Sequence, residues 1–106
     1  MEIRVIEPNE RTYTTSQSAD AEFVTWIRDG DGEANLDDAA LEVVIRPYPR
    51  GHDRLTVDAA GDEQGQVQWG ITAEQSKKLG QGLYRIIIRR SDRGELLHRG
   101  TLDIAA

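Results

Sequence analysis

The acidic stretch at residues 29–38 is the first place where this sequence suggests chemistry. Oxygen-bearing side chains occupy alternate positions from 29 to 37, and such spacing suits a hard cation such as Ca²⁺. A calcium loop starting at Asp29 also needs a glycine at its sixth position and a glutamate at its twelfth. These positions hold Ala34 and Ala40. We therefore predict an exposed, solvated loop, with a weak divalent-cation site as the alternative.

Residues suited to catalysis are scattered along the chain. His52 and His98 are 46 positions apart in predicted turns, and we expect both on the surface without a metal. The chain has no cysteine, which excludes thiolate ligands and disulfides. It also lacks a nucleophile elbow, a phosphate loop and a dinucleotide fingerprint. We predict no catalytic residues, no cofactor and no enzymatic activity.

Arginines near the end of the chain form the second candidate site. They surround the last predicted hairpin and are Arg85, Arg89, Arg90, Arg93 and Arg99. Such residues either blunt the edge of a sheet or bind an acidic neighbour. Docking of this hairpin on another copy or another protein is the hypothesis they support.

Trp26 is a candidate anchor for a partner. In a small sandwich an aromatic side chain on a strand usually belongs to the core. However, if Phe23 and Ile27 point inward, Trp26 faces solvent and is available for binding.

Composition limits the classes of partner. The net charge is −6, so a nucleic-acid ligand, which needs a dominant basic face, is not expected. Residues 1–63 hold 6 basic and 15 acidic side chains (−9), and residues 64–106 hold 7 and 4 (+3). This split suggests either two differently charged faces or a dipolar module that packs end to end.

The length of 106 residues fits one domain, 1–106. No apolar run approaches the roughly 20 residues that span a bilayer, and the first ten residues contain no signal-peptide core. We expect a soluble chain, made in a cytoplasm, with no membrane partner.

Period-two alternation predicts the strands that must position these residues. We expect strands at 1–6, 22–28, 41–48, 54–59, 66–71, 83–90 and 101–105, and either an edge strand or a loop at 11–20. A core shared by residues of the later strands is predicted to include Trp69, Tyr84, Ile86, Ile88, Leu102 and Ile104. Val44 and Ile87 are expected to face outward.

One short helical turn interrupts the strands. Thr72 to Gln75 matches a capping box, and Gly80 and Gly82 follow within two turns. Short strands separated by turn signals every 8–12 residues indicate a fold class. The prediction is an all-β, small immunoglobulin-like β-sandwich of about seven strands with one short helical turn.

The segment from Leu41 onward resembles small β-sandwich modules of bacteriophage tail, baseplate and related virion structural proteins. The resemblance lies in four groups of residues: Val67, Trp69 and Ile71; Thr72–Gln75 with Leu79; Gly82–Tyr84; and Leu96–Leu97 with Gly100–Leu102. It implies a non-catalytic structural component of a virion, in the tail, neck, baseplate or capsid surface. The implied partners are other virion proteins and copies of the chain, and the implied location is the virion, with the host cytoplasm during assembly. A bacterial carbohydrate-binding or adhesion module is the alternative, and it needs an exposed aromatic platform.

Overall fold

The computed structural model describes residues 12–29 and 32–106, so the strand expected at 1–6 lies outside the described residues. In this part of the chain there are nine strands and one helix. They are β1 (Thr12–Ser16), β2 (Ala21–Trp26), β3 (Arg28–Asp29), β4 (Gly32–Glu33), β5 (Leu41–Pro47), β6 (Leu55–Gly61), β7 (Gln66–Ile71), α1 (Ala73–Leu79), β8 (Gly82–Arg90) and β9 (Glu95–Ala105).

Seven strands are joined by hydrogen bonds in the order β1-β9-β8-β5-β6-β7-β2, and β3 and β4 form a separate pair. Strand β6 links the two layers. Its first part, Leu55–Ala59, pairs with β5, whereas Ala60 and Gly61 pair with β7.

The two ends of this strand order meet across the core. The ring of Tyr13 on β1 lies 5.3 Å from those of Phe23 on β2 and Trp69 on β7. Strands at opposite ends of the order can touch only if the sheet folds over on itself. The result is a two-layered sandwich with apolar side chains between the layers.

Strand pairing identifies the sandwich as immunoglobulin-like. β9, β8 and β5 are adjacent, as are strands G, F and C of that fold, and β2 pairs with β7 as strand B pairs with E. Strand β1 runs parallel to β9 along the open edge of the larger layer. The predicted fold class is therefore confirmed, and within the stretch 11–20, predicted as either an edge strand or a loop, Thr12–Ser16 form the edge strand β1.

Alternation along β8 places Tyr84, Ile86 and Ile88 in the core. They pack with residues of the neighbouring strands, and all six members predicted for this core belong to one buried cluster: Trp69, Tyr84, Ile86, Ile88, Leu102 and Ile104. That prediction is confirmed.

Helix α1 begins with the predicted capping box. The hydroxyl of Thr72 accepts from the amide of Gln75 at 3.1 Å, and the Gln75 side chain accepts from the Thr72 amide at 2.9 Å. The helix ends at Gly80, whose φ of 89° favours glycine. The hydroxyl of Ser76 anchors the helix to the β1–β2 connection, because it accepts from the Ser18 amide at 3.1 Å.

A tyrosine corner joins the helix to β8. The Tyr84 hydroxyl donates to the carbonyl of Gly80 at 3.0 Å and also to that of Leu79. A tyrosine near the start of strand F that binds the backbone just upstream is a hallmark of immunoglobulin-like sandwiches. The contact fixes the point at which the chain enters the central strand of the larger layer.

Some features of the fold differ from the sequence predictions. Strand β9 starts at Glu95 rather than at 101, because a bulge near Leu97 keeps β9 paired with β8 after the register shifts between Ile88 and Arg89. Leu36, in the loop predicted to be exposed, is buried in the core and helps close that end of the sandwich. Val44 lies on the outward-facing side of β5 opposite Ile87, yet it is fully buried.

Candidate interaction surfaces

Trp26 lies at the end of β2 with 55% of its surface exposed. Phe23 and Thr25 point toward the core, and Ile27 just beyond the strand is also buried. Phe23 and Ile27 therefore both point inward, which is the condition under which we expect Trp26 to face solvent. Alternation leaves the indole on the outer surface of the smaller layer, beside the half-exposed Val24.

The five candidate arginines do not form one surface. Arg85, Arg89 and Arg99 lie on the outer face of the larger layer, on β8 and β9. Arg90 ends β8, and Arg93 lies in the turn that follows. The five arginines are close together in the sequence because the hairpin is short. In the structure, the alternation of side chains along the strands and the turn between them direct these arginines to different sides.

Three of these arginines pair with carboxylates of the same chain. Arg89 binds Glu42 on β5 at 2.5 Å, Arg90 binds Asp92 at 3.1 Å, and Arg93 lies 3.8 Å from Glu95. Each pair offsets one positive charge locally. The hairpin is thus closer to neutral than its arginine content suggests.

The contact between Arg90 and Asp92 also shifts their ionisation. The carboxylate of Asp92 accepts hydrogen bonds from the Arg90 guanidinium, and this lowers the pKa of Asp92 below its usual value. The same bond raises the pKa of Arg90. Both groups therefore stay charged at neutral pH, as a structural pair within the turn.

A second basic region surrounds the connection between β5 and β6. Arg46 lies directly opposite Arg85 on the neighbouring strand, and Arg54 follows the connection. The guanidinium carbon of Arg85 lies 4.9 Å from the centre of the Tyr48 ring. Sequence analysis missed this grouping, although the run from Arg46 to Arg54 holds three arginines and one tyrosine in nine residues.

His98 is buried, so the expectation that it lies on the surface is wrong. Its Nε2 atom is 3.3 Å from the Tyr13 hydroxyl, which lies 2.5 Å from the Thr25 hydroxyl. The indole nitrogen of Trp69 donates to the same Thr25 oxygen at 3.3 Å. The bulge in β9 places His98 on the inner side, where hydrogen bonds offset the cost of burying polar atoms. His52 is exposed, as expected.

The acidic loop is described in part. Gly30 and Asp31 lie outside the described residues, so the structure leaves the cation hypothesis untested. Within residues 12–29 and 32–106, no three side chains of the kind that bind metals are grouped together. The Asn35 side chain accepts from the Asp37 amide at 3.1 Å, which stabilises the turn.

The same described ranges contain no helix that is long and apolar enough to cross a membrane.

Comparison with known proteins adds a distant structural likeness. No family model matches the chain, and no curated protein matches it. Among solved structures, the crystal structure of the ZIG-8–RIG-5 IG1–IG1 heterodimer matches with 12% sequence identity and a TM-score of 0.44. The match covers 99% of this chain and 90% of that chain. The fold assignment given above rests on the strand pairing of this chain itself.

Proposed function

We propose that the chain is a non-catalytic structural component of a bacteriophage or prophage virion, in the tail, neck, baseplate or capsid surface. The observation that carries the proposal is the exposed indole of Trp26 on a sandwich whose other large aromatic residues near it are packed inside. Tryptophan is enriched among the residues that contribute most to protein–protein binding. A rigid sandwich with such an anchor is suited to assembly.

The residues that resemble virion modules support this function through their structural roles. Val67, Trp69 and Ile71 form the buried side of β7, and Thr72 to Leu79 form the capped helix. They build the frame that holds the outer surfaces in place. A frame of this kind supplies shape and docking positions, which is what an assembly component contributes.

The interior contributes rigidity to that role. The hydrogen bonds among Tyr13, Thr25, Trp69 and His98 connect β1, β2, β7 and β9. They link the smaller layer to the far edge of the larger one. A partner that binds at Trp26 therefore meets a surface whose supporting strands are held in register, so little ordering cost is added on binding.

Purified particles test the proposal directly. Virions from the source strain, washed at high salt, are analysed by mass spectrometry for this chain, supplied as wild type, Trp26→Ala or Tyr48→Ala. We expect the wild type and the Tyr48 variant in particles and a loss of the Trp26 variant. Tyr48 is the matched control because it is also an exposed aromatic residue. It follows the last residue of β5, at the end of the sandwich opposite to Trp26. Absence of the wild-type chain from particles contradicts the proposal.

A carbohydrate-binding or adhesion module remains the second candidate, because two aromatic residues are exposed. Trp26 pairs with Gln66 at the end of the sandwich where β5 begins, whereas Tyr48 follows the end of β5. The two rings thus lie at opposite ends and do not form one platform. Saturable binding of a sugar on a glycan array, lost in Trp26→Ala, is the result that favours this second function.

A further inference from the structure

Strand β1 forms the outer edge of the larger layer and carries no charge along its length. It stands first in the strand order, next to β9, and among the described residues no strand pairs with its other side. Its sequence is TYTTS, and the side chains of Thr12, Thr14 and Ser16 are exposed. Sheets commonly protect such an edge with lysine, proline or a bulge. β1 has neither residue and pairs with β9 in continuous register, so the edge is open to a further strand.

The pairing with β9 determines which backbone groups of β1 point outward. Successive residues of a strand direct their N–H and C=O groups to opposite sides. The Gln17 amide donates to the carbonyl of Ala105 at 2.7 Å, so Thr15 and Tyr13, at alternate positions before it, also face β9. The other residues of β1 direct their backbone groups away from β9: Thr12, Thr14 and Ser16.

These outward groups can still accept or donate hydrogen bonds. Among the described residues, the Ser16 carbonyl accepts from the Ala19 amide at 3.3 Å, and the outward groups of Thr12 and Thr14 make no hydrogen bond. A carbonyl oxygen has two lone pairs, so Ser16 can accept a second bond. The edge therefore offers donors and acceptors at every second residue, which is the pattern that an added strand needs.

The same edge of a second copy is a matching partner. When two β1 strands pair antiparallel about a twofold axis beside Thr14, Thr14 lies opposite Thr14 of the second copy, and Thr12 lies opposite Ser16 of the second copy. Each such pair exchanges two hydrogen bonds, which gives about six in all. Threonine and serine are also favourable cross-strand neighbours. Backbone and side chains thus select the same register.

Electrostatics also favours a second copy at this edge. Of the β9 residues that pair with β1, Asp103 alone is charged, and it lies beside Thr14. In the paired edges, the Asp103 side chains of the two copies are three strand spacings apart, about 14 Å. This distance exceeds the Debye length of about 8 Å at physiological salt. The contact therefore forms without placing like charges close together, although the chain has a net charge of −6.

We infer that two copies of this chain associate through β1, edge to edge and antiparallel, with Thr14 at the twofold axis. Each copy has one such edge, so association stops at a dimer in which the two larger layers form one continuous sheet. A single strand edge buries less surface than the roughly 1,200 Å² of a standard stable interface. We therefore expect a dimer that dissociates on dilution. The inference goes beyond the proposed function and does not depend on it.

Single-cysteine variants test the contact, because the chain has no cysteine of its own. The Cα atoms of a hydrogen-bonded antiparallel pair are about 5.5 Å apart, which is within the range of a disulfide. We expect Thr14→Cys to form a disulfide-linked dimer in a glutathione redox buffer. The matched control is Thr56→Cys, an exposed threonine on β6, and we expect it to cross-link at least about tenfold more slowly. Non-reducing gels and intact mass measure both.

Two further cysteine positions test the register. On the proposed axis, neither Thr12 nor Ser16 lies opposite its own equivalent, from which it is about 14 Å away. We expect Thr12→Cys alone and Ser16→Cys alone to remain without a disulfide. An equimolar mixture of the two is expected to give heterodimers, which intact mass distinguishes from homodimers.

Thr14→Lys tests the contact without a covalent bond. Sedimentation velocity over a range of concentrations is expected to show a monomer–dimer equilibrium for the wild type. Thr14→Lys places two lysines directly opposite each other, so we expect its dissociation constant to rise at least about tenfold. Thr56→Lys makes the same change of charge away from β1 and is expected to dimerise like the wild type. Circular dichroism confirms that each variant folds.

Three results overturn the inference: a wild type that is monomeric at all concentrations, equal cross-linking of Thr14→Cys and Thr56→Cys, or a disulfide from Thr14→Cys to a different protein in place of a second copy. The last result shows that the edge serves another chain. These outcomes differ from a failure of the proposed function. A monomeric chain that is found in virions refutes only the dimer, and a dimeric chain that is absent from virions refutes only the virion role.

Discussion

The two faces of strand β8 differ in what they contact and in how far the sequence reveals it. The inner face carries Tyr84, Ile86 and Ile88, which pack into the core. On the outer face, Arg85 lies over Tyr48, and Arg89 binds Glu42, a residue 47 positions away. The inner face needs only apolar side chains at alternate positions, so any correct strand prediction defines it. The contacts of the outer face depend on which strands become neighbours.

The largest difference between the faces is expected from truncation of equivalent side chains. Ile86 is fully buried, whereas Ile87 on the outer face is half-buried. We expect Ile86→Ala to lower the free energy of unfolding by about 2–5 kcal/mol, because it leaves a cavity in the core. Ile87→Ala, the matched control, is expected to cost about half as much or less. Denaturant unfolding measures both, and equal losses would show that the outer face is as tightly packed as the inner one.

Val44 shows where sequence reasoning about the outer face is insufficient. Alternation correctly places it opposite Ile87 on the side away from the core. Alternation does not report what covers that side, and Val44 is in fact fully buried. The same limit applies to His98, whose inward position depends on a bulge that no residue pattern announced.

Local signals were sufficient where the structure itself is local. The cap at Thr72 and the stop at Gly80 concern residues fewer than ten positions apart, and both were predicted. The second basic region, around the connection between β5 and β6, includes residues of β5 and β8, so its grouping of Arg46 with Arg85 required the strand order. Charge along the chain suggested a dipolar molecule with the hairpin arginines at its positive end. It could not show that Arg89, Arg90 and Arg93 pair with carboxylates of the same chain, because that depends on which residues become neighbours.

The next largest effect is expected at the tyrosine corner on the inner face. Tyr84→Phe keeps the ring but removes the hydroxyl that binds the carbonyls of Leu79 and Gly80. Loss of a donor to buried acceptors costs about 1–3 kcal/mol. Tyr48→Phe is the control, since its ring is exposed and we expect its loss of hydroxyl to leave the midpoint of thermal unfolding unchanged. Equal midpoints for Tyr84→Phe and the wild type would show that the corner does not stabilise the entry to β8.

A smaller effect is expected at the helix that leads into β8. Thr72→Ala removes the acceptor for the Gln75 amide, and the expected loss is about 1 kcal/mol. Thr72→Ser retains the hydroxyl and is expected to retain most of the stability. If both variants unfold like the wild type, the capping box contributes nothing and the helix is held by Ser76 and Tyr84 alone.

The smallest effect is expected on the outer face, at the pair of Arg89 and Glu42. Their side chains are 38% and 21% exposed, and ion pairs near the surface contribute about 0.2–1 kcal/mol. A double-mutant cycle with Arg89→Gln and Glu42→Gln isolates this coupling. We expect a small favourable value that decreases as salt is added, because exposed charges are screened.

Charge reversal at the same position sharpens the contrast with the inner face. Arg89→Glu places a second carboxylate beside Glu42, and Asp58 lies opposite Glu42 on the other side. Three acidic side chains then occupy one row across the sheet, so we expect Arg89→Glu to destabilise more than Arg89→Gln does. Arg99→Glu is the matched reversal, and it is expected to be milder because the residue opposite it is the uncharged Ile87. If both reversals leave the free energy of unfolding unchanged, charge interactions between strands do not contribute measurably to stability on the outer face. The arginines of that face would then serve binding rather than folding.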